Sequence, residues 1–225
     1  MNINIKYIDN SIDLNEEKIN SIEIENKGCF FRTINNLMEI SNGYIIEDIY
    51  CYDNENNEIN ISNKILLIAN YFDMDLMFKK YSNNLQKMII NDTDEKLVND
   101  LAIKYKNLIE KFKSSLSEID LPIKINDEFS LEQLIKITKP TINTPNDLIK
   151  SIYLLIDLEK IFTLNKLIIF VNLKQYLSKQ EISELYKYAL YNKIQILLID
   201  NQSYSTTLEN ERKIIIDDNL DEYML

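Results

Sequence analysis

The stretch from Lys166 to Asn172 reads KLIIFVN, and it decides the fold. Seven residues on, the chain runs KQEISELY from Lys179 to Tyr186, and then IQILLID from Ile194 to Asp200. An apolar run of strand length, a segment with helical spacing and a second apolar run make a strand–helix–strand unit. Two such strands joined across a helix pair in parallel through a right-handed crossover. In many nucleotide-hydrolysing α/β proteins a strand like LIIFV ends in an acid that helps hold magnesium. Here it ends in Asn172.

Working outward, NINIKYI at 2–8 and INSIEIE at 19–25 alternate apolar and polar residues and read as strands. Asn26, Lys27 and Gly28 then form a turn before CFFRTINNLMEI, which has helical periodicity. Strand, glycine turn and helix is the local layout of a phosphate-binding loop. A single glycine, with no Lys-Ser/Thr pair opening the helix, reads instead as an ordinary strand-to-helix turn. YIIEDIYCY at 44–52, KILLIA at 64–69 and KIII at 213–216 read as further strands. KILLIA lacks alternation, which is expected of a central strand covered on both faces.

Between these halves the pattern turns helical. Over 94–119 the apolar residues Leu97, Leu101, Tyr105, Leu108, Phe112, Leu116 and Ile119 recur every three or four positions, one continuous helical stripe. Thr93 is a plausible N-cap, with Asp94 and Glu95 in the first turn. Pro122 ends this helix. Ser130 can cap a short helix LEQLIKI, with Gln133 at the capping-box position. Pro145 suits the first position of a helix running to Phe162, which could pair with the 94–119 helix. The fold class is therefore α/β: a head from residues 1–75 and 164–225, interrupted by a mostly helical insertion over 76–163.

Absences bound the chemistry. No histidine is present, so imidazole acid–base catalysis and imidazole metal ligation are excluded. Two cysteines, Cys29 and Cys51, cannot make a four-thiolate zinc site. They read as buried free thiols of a reducing cytoplasm, with a disulfide between them left open. Two glycines cannot supply a full phosphate loop or a dinucleotide turn. The start MNINIKYIDN does not read as a secretory leader, and no apolar window is long enough to span a bilayer. The net charge of −11 argues against nucleic acid only superficially, because a minority of lysines can gather on one surface. Arg32 and Arg212 are the only arginines, so any DNA contact is expected at phosphate, sensitive to salt and blind to sequence. Lys104, Lys106, Lys111 and Lys113 flank the apolar stripe. They read either as snorkelling side chains beside a helix seam or as a basic face for phosphates.

With these segments in place, the chain resembles the short form of the CRISPR-associated spacer-acquisition protein of type II-A systems, the Csn-two family. The likeness is carried by KLIIFVNLKQYLSKQEISELYKYALYNKIQILLIDNQ, KILLIANYFDMDL, DEFSLEQLIKI and MNINIKYIDNSIDL, and by the order strand, helical insertion, strand. The resemblance implies a degenerate P-loop-NTPase-like α/β head with an inserted helical leg, and a homotetramer ring whose hole takes double-stranded DNA ends without regard to sequence. It implies spacer acquisition beside the CRISPR integrase complex and the RNA-guided effector nuclease, with no enzyme activity and no bound nucleotide. Asn172 then stands where an acid is absent because nothing is hydrolysed.

The resemblance also implies calcium in the leg, at an acidic run before a short helix. Asp127 and Glu128 match that pattern. Asp120 and Glu118 could replace two missing acids after a small shift, and Glu132 adjoins the helix position, which holds Gln133. Calcium takes six to eight oxygens, several from carboxylates, and Lys124 among the ligands opposes a cation, so a weak or lost site is expected. Lys136 in EQLIKI matches a lysine of the family. Lys104, Lys106, Lys111, Lys113 and Lys139 are further DNA-contact candidates from the charge pattern alone. Two other readings compete: a helical protein-interaction scaffold that binds no DNA, and a cryptic nucleotide hydrolase using Lys27 in the Asn26–Gly28 turn.

Overall fold

A computed structural model describes residues 1–225 except Asn15, Glu16, Asn54, Asn63, Ser117, Asp120, Thr163, Asn165 and Lys166. In chain order the elements are β1 (Asn2–Ile5), β2 (Ile12–Asp13), β3 (Ile19–Ile24), α1 (Lys27–Ser41), β4 (Ile49–Tyr52), β5 (Ile65–Ile68), α2 (Met74–Asp92) and α3 (Glu95–Ser115). There follow α4 (Leu131–Thr138), α5 (Leu148–Ile161), β6 (Leu167–Val171), a short 3₁₀ turn (Leu173–Gln175), α6 (Lys179–Asn192), β7 (Ile196–Asp200), β8 (Glu211–Ile216) and β9 (Glu222–Met224). This is a mixed α/β protein. Its chain forms two compact units, one of Met1–Met74 with Pro145–Leu225 and one of Asp75–Thr144. Among the described residues no helix is long and apolar enough to cross a membrane.

The first unit holds both sheets. One has the order β2-β1-β4 and is antiparallel; the other has the order β5-β6-β7-β3-β8-β9 and is parallel apart from β9. β6 and β7 pair in parallel, Ile168 opposite Ile196 and Val171 opposite Ile199, as their crossover through α6 requires. Strand side chains alternate faces, which splits the buried residues in two. Ile22, Ile24, Ile169, Leu197, Ile199, Ile214 and Ile216 join α1 and the small sheet in one core. Ile168, Phe170 and Leu198 are buried on the opposite face. A strand apolar on both faces belongs in a covered parallel sheet, which is why LIIFV and ILLID carry so little polarity.

Several expectations change in detail. KILLIA becomes β5, but at the sheet edge rather than its centre. Ile65 and Ile68 are buried and Leu66 and Leu67 half-buried, so the apolar run reports cover on two faces and not two neighbouring strands. Residues 44–48 lie outside β4, because its partner β1 ends at Ile5, opposite Ile49. Asp94, not Thr93, caps α3: its Oδ1 accepts from Lys96 N at 3.0 Å, while the Thr93 hydroxyl donates back to Ile89 O in α2. Asp147, not Pro145, opens α5, accepting from Lys150 N at 3.2 Å, and the Pro145 carbonyl accepts from Ser151 Oγ. α5 belongs to the first unit, where Tyr188 Oη of α6 donates to its Asp157 Oδ1 at 2.6 Å and Tyr153 stacks on Tyr188 at 4.5 Å. Ser130 caps α4 as the sequence predicts, accepting from Gln133 N. Cys29 and Cys51 are buried and unpaired; burial pushes the Cys51 thiol up to about 11.

Candidate nucleic-acid interface

The strand ends explain Asn172. It sits in the left-handed region at φ 57°, ψ 30°, where asparagine is among the few residues at ease. Its N–H donates to Ile199 O at 2.9 Å and its Oδ1 accepts from Asn201 N at 2.9 Å. The side chain therefore ties the end of β6 to the end of β7.

Beside it lies a buried ion network that sequence reasoning missed. Lys174, just past β6, donates to Ser21 Oγ (2.7 Å), Glu23 Oε1 (2.9 Å) and Glu211 Oε1 (2.6 Å). Lys213 of β8, fully buried, pairs with Glu23 Oε1 at 3.0 Å. Tyr186 Oη donates to Glu211 Oε1 at 2.9 Å. Burial alone would push the Lys174 ammonium down, but Glu211 and Glu23 outweigh it and hold it above its usual value. Burial would likewise raise Glu211, yet Lys174 leads the groups that hold it low. Two ammonium groups thus sit among buried carboxylates spread along the sheet: Glu23 and Asp200 lie at the C-terminal ends of β3 and β7, while Glu211 opens β8 and Lys213 lies within it. The signal in the sequence was a charge inside each apolar strand: Glu23 in INSIEI, Lys213 in ERKIII and Asp200 closing ILLID. Buried charges of that kind require partners.

The Asn26–Gly28 turn offers no phosphate cradle. Asn26 is the N-cap of α1: its Oδ1 accepts from Cys29 N at 2.9 Å and its Nδ2 donates to Asp218 O at 2.9 Å. Gly28 lies inside α1 without positive φ, and an added Cβ would meet only Asn26 Oδ1 at 3.5 Å. Neither a left-handed backbone nor close approach requires a glycine here.

All six candidate lysines fall in the second unit and are exposed. At 100° per residue, Lys104 and Lys111 share one flank of α3, and Lys106 and Lys113 share another. Lys104 pairs with Asp100 at 2.6 Å and Lys113 with Asp127 at 2.6 Å. Lys136 is in the last turn of α4, and Lys139 is its C-cap, left-handed at φ 46°. The charge is segregated between the units. Residues 75–144 hold eleven lysines and eleven acids, leaving fourteen basic and twenty-five acidic residues in the first unit, so the entire −11 belongs to the first unit.

Among the described residues, the acids expected to hold calcium are not gathered into one ligand cluster. Asp127 is ion-paired with Lys113, which together with nearby Lys106 holds its carboxyl below the usual range. Glu132 accepts from Ser130 Oγ, and that bond holds it low as well. Glu128 donates its backbone N–H to Asn126 Oδ1 in a tight turn. Asp120 lies outside the described residues. Among the described residues no group of three or more acids or thiols is placed to hold a metal ion.

The apolar stripe of α3 has no buried member. Its Leu97, Leu108 and Phe112 are each more than half exposed, while Leu101, Tyr105 and Leu116 are half-buried. α3 ends at Ser115, well before Pro122, so Ile119 falls outside the helix expected over 94–119, and only part of the stripe is open within the single chain.

A comparison with curated proteins finds no match. The family model described as CRISPR-associated protein (Cas_Csn2) matches residues 43–220, about four-fifths of the chain. The match takes in KILLIANYFDMDL, DEFSLEQLIKI and KLIIFVN, three of the four stretches that carry the resemblance; the start MNINIKYIDNSIDL lies outside it. The chain belongs to the Cas_Csn2 family of CRISPR-associated proteins.

Proposed function

We propose that this protein is a non-catalytic, sequence-independent binder of double-stranded DNA ends that serves spacer acquisition in type II-A CRISPR immunity. It acts in the cytoplasm as a homotetramer ring, beside the integrase complex and the RNA-guided effector nuclease. Its head is a degenerate P-loop-like α/β domain that holds no nucleotide, and its helical leg carries the DNA contacts through Lys104, Lys106, Lys111, Lys113, Lys136 and Lys139. Its calcium site is weak or lost. The observation that carries the reading is the charge segregation. An acidic first unit repels phosphate, while the neutral second unit presents exposed lysines, so DNA has one favourable surface to approach. Family membership supports the CRISPR role.

A mobility shift comparing a linear duplex with the same DNA as a closed circle tests it, at low and moderate salt. Binding to the linear form alone supports loading at ends. Equal binding to both sinks the threading mechanism. A second reading, a helical scaffold for another protein, is favoured by the exposed apolar side chains Leu97, Leu108 and Phe112 of α3, since exposed apolar patches mark interaction surfaces. Failure to bind either DNA would select it.

A further inference from the structure

Residues 201–210 have no regular structure, yet they are stitched to the buried ions. Lys213 Nζ donates to Tyr204 O (2.8 Å) and Thr206 O (3.1 Å). Glu23 Oε2 accepts from Tyr204 N at 2.9 Å, and Glu211 Oε2 accepts from Leu208 N at 2.8 Å. The Lys174 ammonium lies 5.4 Å from the centre of the Tyr204 ring. At the start of the segment, Gln175 Nε2 donates to Asn201 Oδ1 at 2.9 Å. The segment is a strap whose anchors are the buried charged groups Glu23, Glu211 and Lys213.

The residue before the strap is Asp200. It is fully buried, and neither carboxylate oxygen has a hydrogen-bond partner. The groups that influence it come from every side: Lys174 after β6, Glu23 of β3, Glu211 of β8, Tyr71 ahead of α2, Tyr186 of α6 and Tyr204 of the strap. Lys213 joins through its pair with Glu23. Three carboxyls face two ammoniums, so the cluster is neutral only when one carboxyl keeps its proton. Glu23 and Glu211 both hold ion pairs and accept N–H bonds. Asp200 holds no ion pair and has only the Lys174 backbone N–H nearby, beyond hydrogen-bond distance, so the proton resides there. Desolvation pushes its carboxyl up to about 7, with Glu23 and Glu211 adding to the rise and Lys174 opposing it.

We propose that residues 201–210 are a proton-locked strap: Asp200 keeps its proton while the strap is shut, and losing it leaves an unmatched buried negative charge that loosens the strap. The strap forms one wall of a solvent-open cleft of about 290 Å³ with Lys174, Leu177 and Ile182, and loosening removes that wall. The lock is a property of the first unit and does not depend on whether DNA binds the second.

Amide hydrogen exchange at Tyr204 and Leu208 tests this between pH 5.5 and 8.5, corrected for intrinsic exchange. The buried amides of β6 serve as the folding control. Protection at the two strap amides is expected to fall at least about tenfold on passing through neutrality, the equivalent of one pKa unit, while β6 stays protected. In Asp200→Asn the protection is expected to be flat with pH. A flat wild-type profile, or an unchanged fall in Asp200→Asn, overturns the proposal. Should that variant not fold, carbon NMR of the wild-type Asp200 carboxyl decides: a midpoint near neutrality supports the lock, and one near 4 overturns it.

Discussion

Lysine does opposite work in the buried ion network of the sheet and on α3. In the network Lys174 and Lys213 are almost wholly removed from water and committed to Glu23 and Glu211. On α3 Lys104, Lys106, Lys111 and Lys113 stand in solvent, held only by surface pairs such as that with Asp127. A buried pair resists disruption strongly because breaking it strands a charge in low dielectric. A solvated lysine is nearly free to exchange its partner for a phosphate. The same residue type is therefore structural in one unit and available for recognition in the other, and mutations should separate stability from binding.

The sharpest break is Lys213→Met. It leaves Glu23 without its fully buried partner and leaves Tyr204 O and Thr206 O without a donor. A loss of about 3–5 kcal/mol in unfolding free energy is expected by urea titration. DNA affinity measured below the melting transition should be unchanged. A variant as stable as the wild type would mean that the ion network carries no structural weight.

Next in size is the pH dependence that Asp200 imposes. Its carboxyl is raised from 3.8 to about 7, so the folded state keeps a proton that the unfolded chain releases. The stability it contributes is full below about pH 4, falls as pH rises towards 7 and is flat above that. A three-unit shift corresponds to at most roughly 4 kcal/mol, less once the site relaxes. Asp200→Asn should therefore raise the melting temperature at pH 8 relative to wild type and flatten the slope between pH 4 and 7. Equal slopes in both proteins would break the assignment of the proton.

What the sequence made legible follows from the range of the interactions involved. LIIFV, ILLID and INSIEI were readable as strands because burial imposes its period on neighbouring residues, and the stripe from Leu97 to Ile119 was readable as a helix from its spacing alone, although no residue of α3 is buried. The ion network was not readable, because Glu23 meets Lys174 and Lys213 across more than a hundred residues and no local period records that meeting. The edge position of β5 escaped for a related reason: pattern reports which faces are covered, while strand order is set by crossovers. The caps of α3 and α5 shifted by one to three residues because an aspartate, Asp94 next to Thr93 and Asp147 two residues past Pro145, made the stronger cap. For the candidate interface, residue types and exposure were legible. The segregation of charge needed the division into units.

A smaller effect sharpens the recognition side. Lys106 and Lys113 share their flank of α3 with Asp127, whereas the Lys104–Lys111 flank is opposed by Asp100. Glu110, four residues from Lys106, lies on the more compensated side as well. The double change Lys104→Glu with Lys111→Glu should therefore weaken binding to linear duplex more than Lys106→Glu with Lys113→Glu. Each lost phosphate contact should reduce the slope of log affinity against log salt by about 0.9. Equal losses from both flanks would mean that DNA reaches the lysines from both sides of the helix. No loss from either would move the contacts to Lys136 and Lys139.

The smallest expected effect is at Asp127. It is exposed, and its carboxyl is held low chiefly by its hydrogen bond to Lys113. Surface pairs of this kind contribute little, so Asp127→Asn should leave the melting temperature where it was. It should also strengthen DNA binding slightly, because it frees Lys113 and removes a negative charge from that flank. Calorimetric titration with calcium should give no strong binding heat in either protein, since Lys113 and Lys106 already supply the positive charge beside this carboxylate. Tight calcium binding that Asp127→Asn abolishes would show that the ion displaces Lys113. It would then release that lysine for phosphate, coupling metal to DNA affinity through one side chain.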